Sequence, residues 1–133
     1  MRNFGTFLLA LALIIALPLT LAPQPPTNAV PSYNVAQEQT FSGIIKDVKE
    51  YQCPVTGTVG SHISVAGDIT TLEVHLAPAS FLKQYDIVFK TGQRVTVTGV
   101  KFEFEGKPAM LARTVSAGQN TFTFRDPRGR PEW

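Results

Sequence analysis

Apolar and polar residues alternate in short runs along most of the chain beyond residue 40, and this period predicts half-buried β-strands. The glycine-aspartate pair at residues 67–68 separates two of the runs and is typical of a two-residue hairpin turn. The sequence therefore predicts five or six short strands. They cover residues 41–48, 62–65, 70–76, 94–105, 108–115 and 121–125.

One segment departs from the alternation. In residues 77–85, Phe81, Leu82 and Tyr85 recur at helical spacings, and Ser80 is a candidate cap. This spacing predicts a short helix of about two turns between the third and fourth strands.

The fourth strand changes phase within itself. Val95 and Val97 occupy odd positions, Phe102 and Phe104 occupy even ones, and Gly99 lies at the switch. A one-residue slip of this kind is what a β-bulge supplies, bending a strand so that it can serve two walls of a small barrel.

Strand count, helix position and bulge together favour one fold class. We predict an all-β, OB-fold-like Greek-key barrel of five to six strands with one short helix. A small β-sandwich would explain the strands but not the position of the helix. The alternation places Arg125 outside the barrel, and Trp133 is expected to fold back as an apolar plug over an open barrel edge. The rings predicted to lie inside are those of Phe102, Phe104, Phe122 and Phe124.

The amino terminus follows another pattern. Arg2 precedes an uncharged apolar run over residues 4–21, as an export signal requires, and a run of that length is also enough to span a bilayer. Prolines are then dense up to residue 31, which predicts an extended tether. The predicted organisation is a signal peptide or membrane-anchor helix at 1–22, a proline-rich tether at 23–39 and the barrel at 40–133. A cleaved signal and a retained anchor both stay open. We expect an exported protein, periplasmic or extracellular, that meets a membrane only through this segment.

Charge and cysteine content add little. The chain carries 12 basic and 10 acidic residues, a formal net charge of +2. Lysine and arginine are concentrated beyond residue 80, which ordinary surface variation explains better than an anionic partner. Cys53 is the only cysteine, so an internal disulfide is excluded.

Several stretches resemble a known group of proteins: "FSGIIKDV", "LEVHLAP", "GQRVTVTGVKFEFEGKPAMLARTV" and "FRDPRGRPEW". They are similar to bacterial exported OB-fold proteins of the periplasmic BOF type, in particular to a group ending in R-D-x-x-G-x-P-x-W. The resemblance covers about residues 40–133. Its motifs are turns and strand kinks, so it implies fold and export rather than an activity.

The arginines near the carboxyl end raise the question of phosphate binding. Residues 126–129, Asp-Pro-Arg-Gly, match a type I turn, which explains Arg128 at its tip without a ligand. Phosphate contact by Arg125, Arg128 and Arg130 is the alternative. Nucleic-acid binding is disfavoured, because OB-folds use exposed rings beside a basic groove and the phenylalanines here are predicted to be buried.

A second candidate site lies on the predicted hairpin of the second and third strands. If the turn is at residues 67–68, Glu73 lies opposite His62, and His75 lies two positions farther along the same outward face. The loop that carries Cys53 is expected to fold nearby, which makes Cys53 a candidate fourth ligand. Imidazole and thiolate suit copper or zinc, although the gap from Cys53 to His62 matches no standard zinc-finger spacing. A histidine opposite a glutamate is also an ordinary cross-strand ion pair, so a solvated polar face is preferred over a metal site.

No motif for catalysis is present: the sequence lacks G-x-S-x-G, H-E-x-x-H, a glycine-rich phosphate loop and C-x-x-C-H. We therefore predict a non-catalytic exported binding or accessory module without a cofactor. Its partner is expected to be an envelope protein, a peptide or a small ligand, with metal-ion binding and nucleic-acid binding as the alternatives. The candidate ligand-binding residues are His62, Glu73, His75, Cys53, Arg125 and Arg128.

Overall fold

The computed structural model describes residues 30–133, so the predicted signal or anchor and residues 23–29 of the predicted tether lie outside the described residues. Within residues 30–133, no helix has the length and apolarity needed to cross a membrane. A 3-10 turn at Val35–Gln37 precedes six strands and one helix. In chain order these are β1 (Gln39–Cys53), β2 (Thr58–Ala66), β3 (Thr71–Pro78), α1 (Ala79–Gln84), β4 (Arg94–Phe104), β5 (Lys107–Ala117) and β6 (Asn120–Thr123).

The strands form one sheet that closes on itself. Antiparallel neighbours follow the order β3-β2-β1-β4-β5-β6, and β3 also pairs in parallel with β5. That parallel pairing joins Val74 to Met110 and His75 to Leu111. A β1-β2-β3 meander, a helix before β4, and closure between β3 and β5 are the connections of an OB-fold. The predicted all-β barrel is confirmed, and a sandwich of two separate sheets is excluded.

Apolar side chains from every long strand fill the cylinder. Phe122 and Trp133 are partly buried and pack against this core, so Trp133 folds back onto the barrel as predicted. Burying one large apolar side chain contributes about 1.5–3 kcal/mol, so the core is the main source of stability. Its most deeply buried members include Ile45, Ile63, Val65, Leu72, Val74, Val97, Met110, Val115 and Phe124.

Close backbone approaches shape the barrel at two glycines. The pairing of β4 with β5 slips between Thr98 and Gly99, which confirms the predicted bulge. A Cβ atom on Gly99 would collide with the carbonyl oxygen of Leu111, and one on Gly43 would collide with that of Ala66. These positions therefore accept no side chain.

The hairpin between β2 and β3 has a different register from the predicted one. Ala66 pairs with Thr71, which leaves a four-residue loop, and the amide of Gly67 donates to the carbonyl of Thr70 at 2.8 Å. Gly67 does not have the positive φ that a two-residue hairpin turn needs. Its lack of a side chain makes room for the ring of Phe41 instead. The observed register between β2 and β3 therefore differs by two residues from the predicted one, from Thr71 to His75.

Helix α1 is shorter than predicted. It covers Ala79–Gln84 with Pro78 at its N-cap position, and no side chain caps it. Ser80 lies inside the helix rather than at its start.

The folded unit begins earlier than the predicted boundary at residue 40. The Tyr33 hydroxyl donates to Glu38 at 2.9 Å, and Glu38 accepts two hydrogen bonds from Arg113 of β5, at 2.7 and 2.9 Å. Residues 33–39 are therefore part of the barrel domain rather than of a solvated tether.

The carboxyl-terminal turn is confirmed, but one side-chain prediction there was wrong. The amide of Gly129 donates to the carbonyl of Asp126 at 2.9 Å, and Gly129 has φ +83°. Arg125, predicted to lie outside, is only 7% exposed. Its guanidinium lies 5.3 Å from the Tyr33 ring and 5.1 Å from the Trp133 ring. The chain leaves β6 at Thr123, so the strand alternation no longer decides where Arg125 points.

Candidate metal site

Three potential metal ligands converge on the outside of the barrel. Cys53 ends β1, while His62 of β2 pairs directly with His75 of β3. Cys53 Sγ lies 3.4 Å from His75 Nδ1, and one donor atom from each of the three residues lies within 4.8 Å of the others. With bonds of about 2.3 Å to sulfur and about 2.0–2.1 Å to nitrogen, ligands of one tetrahedral ion are about 3.6 Å apart. The cysteine–histidine distance is close to that spacing.

The three side chains are shielded from solvent yet poorly hydrogen-bonded. Cys53, His62 and His75 are 0%, 1% and 2% exposed. Both ring nitrogens of His62, and Nε2 of His75, make no well-aligned hydrogen bond within the described residues, although the backbone of Gly60 and of Lys49 lies close enough to interact with the His62 ring. Buried polar groups are nearly always partnered, because an unpartnered one costs about 1–3 kcal/mol. These nitrogens are the strongest indication that the site holds a ligand.

Aromatic rings enclose the histidines. Tyr51 stacks on His62 with ring centroids 3.8 Å apart and planes 2° apart. The rings of Phe102 and Phe104 contact His75 edge-on, with centroid distances of 5.1 and 4.7 Å. The rings therefore hold the imidazole planes in place and keep water from their faces.

The positions of Phe102 and Phe104 correct a prediction, since neither ring belongs to the barrel core. Beyond the bulge, Val100 of β4 pairs with Leu111 of β5, and Leu111 pairs with His75 of β3. Paired residues point to the same side of a sheet, so this half of β4 presents its apolar residues on the side that carries His75. The bulge was predicted correctly, but its effect is to move the rings to the outer face. Phe104 is nevertheless 6% exposed, because the histidine cluster covers it.

Burial also sets the protonation of the ligands. Removal from water lowers the pKa of His62 to about 4 and that of His75 to about 3. Burial raises the pKa of the Cys53 thiol. At neutral pH both imidazoles are uncharged, which is the form that binds metals, and the thiol must release its proton when an ion binds.

Glu73 does not lie where the sequence placed it. It pairs with Ser64 rather than with His62. Its Oε1 accepts a 2.7 Å hydrogen bond from the Tyr51 hydroxyl, so Glu73 fixes the ring that stacks on His62. The predicted opposition of His62 and Glu73 was wrong, and Glu73 is not among the three converging donors.

Tyr51 was not identified as a site residue from the sequence, although a signal was present. Tyr51 and Cys53 are two positions apart in β1 and therefore share one face of that strand. With Cys53 already a candidate ligand, this alternation could have identified Tyr51 as its neighbour.

The cluster occupies a position where OB-folds commonly bind ligands. It lies on the outer face of β2 and β3, beside the hairpin that joins β1 to β2 and the hairpin that joins β4 to β5. In this fold class that face and these two loops form the usual binding surface.

The two arginine candidates do not join this site. Arg125 donates from Nη1 to the Gly129 carbonyl at 3.0 Å, within the carboxyl-terminal turn. Arg128 is exposed at the tip of the same turn, and its amide donates to Asp126 Oδ1. Because one guanidinium is buried and the other faces solvent, they do not form a common phosphate site.

Comparison with known proteins identifies a family and similar solved structures. The family model described as "MamS/MamX magnetosome protein family" matches residues 37–122, a span that contains all three converging donors. No curated protein matches the chain. Among solved structures, the mitochondrial single-stranded DNA binding protein Rim1 from S. cerevisiae is similar, with a TM-score of 0.48 and 10% sequence identity. That match covers 68% of this chain and 98% of the yeast chain.

Proposed function

We propose that this chain, which belongs to the MamS/MamX magnetosome protein family, is a non-catalytic accessory module that binds one metal ion through Cys53, His62 and His75. The observation that carries the proposal is the set of buried histidine nitrogens without hydrogen-bond partners beside a buried thiol. A purely structural role for these groups leaves their desolvation uncompensated.

The donor set narrows the choice of ion. One thiolate and two imidazoles suit copper and zinc, whereas magnesium and calcium require oxygen ligands. The ring of Tyr51, held by Glu73, and the edges of Phe102 and Phe104 would keep both imidazoles oriented toward the ion.

The test is metal titration of the full-length protein against chromophoric chelators, with Zn²⁺ and, under reducing anaerobic conditions, Cu⁺. We expect one ion per chain and an increase in Tm, because a ligand that binds only the folded state stabilises it. Cys53→Ser and His62→Gln should each abolish stoichiometric binding. Glu103→Gln is the matched control, since it removes an exposed carboxylate from the neighbouring strand β4 and should bind like the parent. An unchanged Tm with both ions, or binding that survives Cys53→Ser, would refute the proposal.

The cellular location forms a separate part of the proposal. The apolar run at residues 4–21 supports export, with the barrel held at or released from a membrane, and the family description supports association with magnetosomes. Fractionation of cells that make the full chain, compared with a chain lacking residues 2–22, tests this. Export predicts that only the full chain reaches a membrane, envelope or magnetosome fraction, and recovery of both chains with cytosolic proteins would contradict it.

A further inference from the structure

We infer that the Cys53–His62–His75 site selects monovalent copper over divalent ions. This inference rests on the proposed function and adds the identity and oxidation state of the ion. It follows from the charge of the site, from the number of its donors and from what surrounds them.

Charge is the first argument. The cluster offers a single anionic ligand, the Cys53 thiolate, and two neutral imidazoles. With Cu⁺ the complex has no net charge, whereas Zn²⁺ or Cu²⁺ would leave one positive charge among side chains that are at most 2% exposed. An uncompensated buried charge costs several kcal/mol.

The surroundings supply no second anionic ligand. The carboxylate of Glu73 acts electrostatically on His62 and Cys53, and that of Glu105 acts on Cys53. Both lie outside the converging donor set, and Glu73 Oε1 accepts the Tyr51 hydroxyl. The other side of His75 is covered by the hydrocarbon rings of Phe102 and Phe104. A divalent ion would therefore have one counter-charge among its ligands, and further carboxylates only outside the coordination shell.

Coordination number is the second argument. Zinc in structural sites is almost always bound by four ligands, but in the described part of the chain only three potential ligand residues converge here. Soft thiolate ligands select Cu(I), and a three-coordinate ion uses all the donors that the cluster supplies.

The described residues also disfavour a site built for Cu(II). Blue-copper centres add a weak axial ligand, usually methionine, to a trigonal two-histidine, one-cysteine set. Met110 lies in the neighbouring strand, but it is a member of the barrel core together with Val74. Since Val74 and His75 are adjacent in β3, their side chains point to opposite faces of the sheet. The thioether is therefore on the wrong side to complete such a centre.

The experiment compares the two ions on the full-length protein. Competition with chelators of known affinity should show Cu⁺ bound more tightly than Zn²⁺ by about a thousandfold, or about 4 kcal/mol. X-ray absorption of the copper-loaded protein should show a three-coordinate Cu(I) ion with one sulfur and two nitrogen neighbours. This spectroscopic measurement needs no variant, so it does not depend on the folding of a mutant.

A variant that adds a negative charge tests whether charge and the number of donors determine the selectivity. Phe102→Asp places a carboxylate beside His75, where it can supply both a counter-charge and a fourth donor. Zn²⁺ affinity should rise at least about tenfold, while Cu⁺ affinity should fall, because Cu⁺ needs neither the added charge nor a fourth donor and loses the ring that orients His75. Glu103→Gln is the control for a change in surface charge on the same strand, and circular dichroism checks that the variants fold.

The outcomes separate the two claims. Equal or tighter binding of Zn²⁺ at a site that is lost in Cys53→Ser overturns copper selectivity and leaves metal binding intact. A four-coordinate copper spectrum, or a Zn²⁺ affinity that Phe102→Asp leaves unchanged, also overturns the selectivity argument. Failure to bind either ion overturns both claims.

Discussion

His62 and His75 pair directly across β2 and β3, with ring centroids 4.5 Å apart and ring planes at 88°. Two imidazoles so close together and so well shielded from water are held in the neutral form. Their loss of hydration costs free energy, and this cost is offset only when their nitrogen lone pairs accept a hydrogen bond or bind a metal ion.

The stability of the metal-free protein should depend on pH through these imidazoles. Burial lowers the pKa of His62 to about 4 and that of His75 to about 3. Below about pH 6.5 these imidazoles therefore bind protons in the unfolded chain but not yet in the folded chain. The free energy of unfolding should be unaffected by these two groups above that pH. It should fall as the pH drops toward 4, with each imidazole contributing up to about 1.4 kcal/mol per pH unit.

The variant for this measurement is His75→Phe, which keeps a ring in contact with Phe102 and Phe104. In urea titrations at several pH values with a chelator present, the variant should lose less stability than the parent between pH 6.5 and 4. Parallel pH profiles for the two proteins would show that His75 does not cause the loss of stability at low pH.

Cys53 should react slowly with thiol reagents in the folded protein. Its side chain is fully buried and its thiol pKa is raised by that burial, and both effects reduce the population of accessible thiolate. Labelling by a maleimide at neutral pH should be fast in denaturant and at least about a hundredfold slower in buffer. Bound metal should slow it further, and equal rates in buffer and denaturant would contradict the described position of Cys53.

Tyr51 should act on metal affinity through its ring rather than its hydroxyl. Tyr51→Phe keeps the stack on His62 and removes the hydrogen bond to Glu73, so we expect affinity within about threefold of the parent. Tyr51→Leu removes the stack, and affinity should fall about tenfold or more, within the usual range for groups that orient a metal ligand. Chelator competition measures the metal affinity of both variants. An equal loss of affinity in the two variants would show that the hydroxyl, rather than the ring, supports metal binding.

Gly99 should tolerate no side chain. Gly99→Ala would drive a Cβ atom into the Leu111 carbonyl oxygen at the bulge, and we expect the free energy of unfolding to drop by about 3 kcal/mol. Gly118→Ala is the matched control, since Gly118 has φ +60° but an added Cβ there meets nothing within 4 Å. It should cost about 1–2 kcal/mol. Equal costs in urea denaturation would mean that the close approach at Gly99 is not rigid.

The Glu38–Arg113 pair should stabilise the barrel above about pH 4.5. The two hydrogen bonds from Arg113 hold the pKa of Glu38 below its ordinary value. A lowered carboxyl pKa gives stability that is present above the unfolded-state pKa and lost as the pH falls. Glu38→Gln should therefore cost about 1–2 kcal/mol at pH 7, and the difference from the parent should shrink below pH 4.5. Glu50→Gln removes an exposed contact to Lys83 and should cost less than about 0.5 kcal/mol.

Much of the fold could be predicted because it depends on local patterns. Alternation located the strands, Gly99 located the bulge, and the Asp126–Gly129 turn followed from its residue types. The site was predicted only in part. Alternation placed His62 and His75 on one face, but the assumed turn gave His62 the wrong partner, because local sequence does not fix the length of a hairpin loop.

The sequence by itself determined the strand pattern, the helix between β3 and β4 and the presence of one cysteine and two histidines. Only the tertiary structure decided that these three residues meet. The physical reason is that strand period sets which face a side chain occupies, whereas register and barrel closure set which side chains share that face. Closure also brings Phe104 against His75, and this contact helps to shield from water a cluster that the sequence alone places on a polar surface.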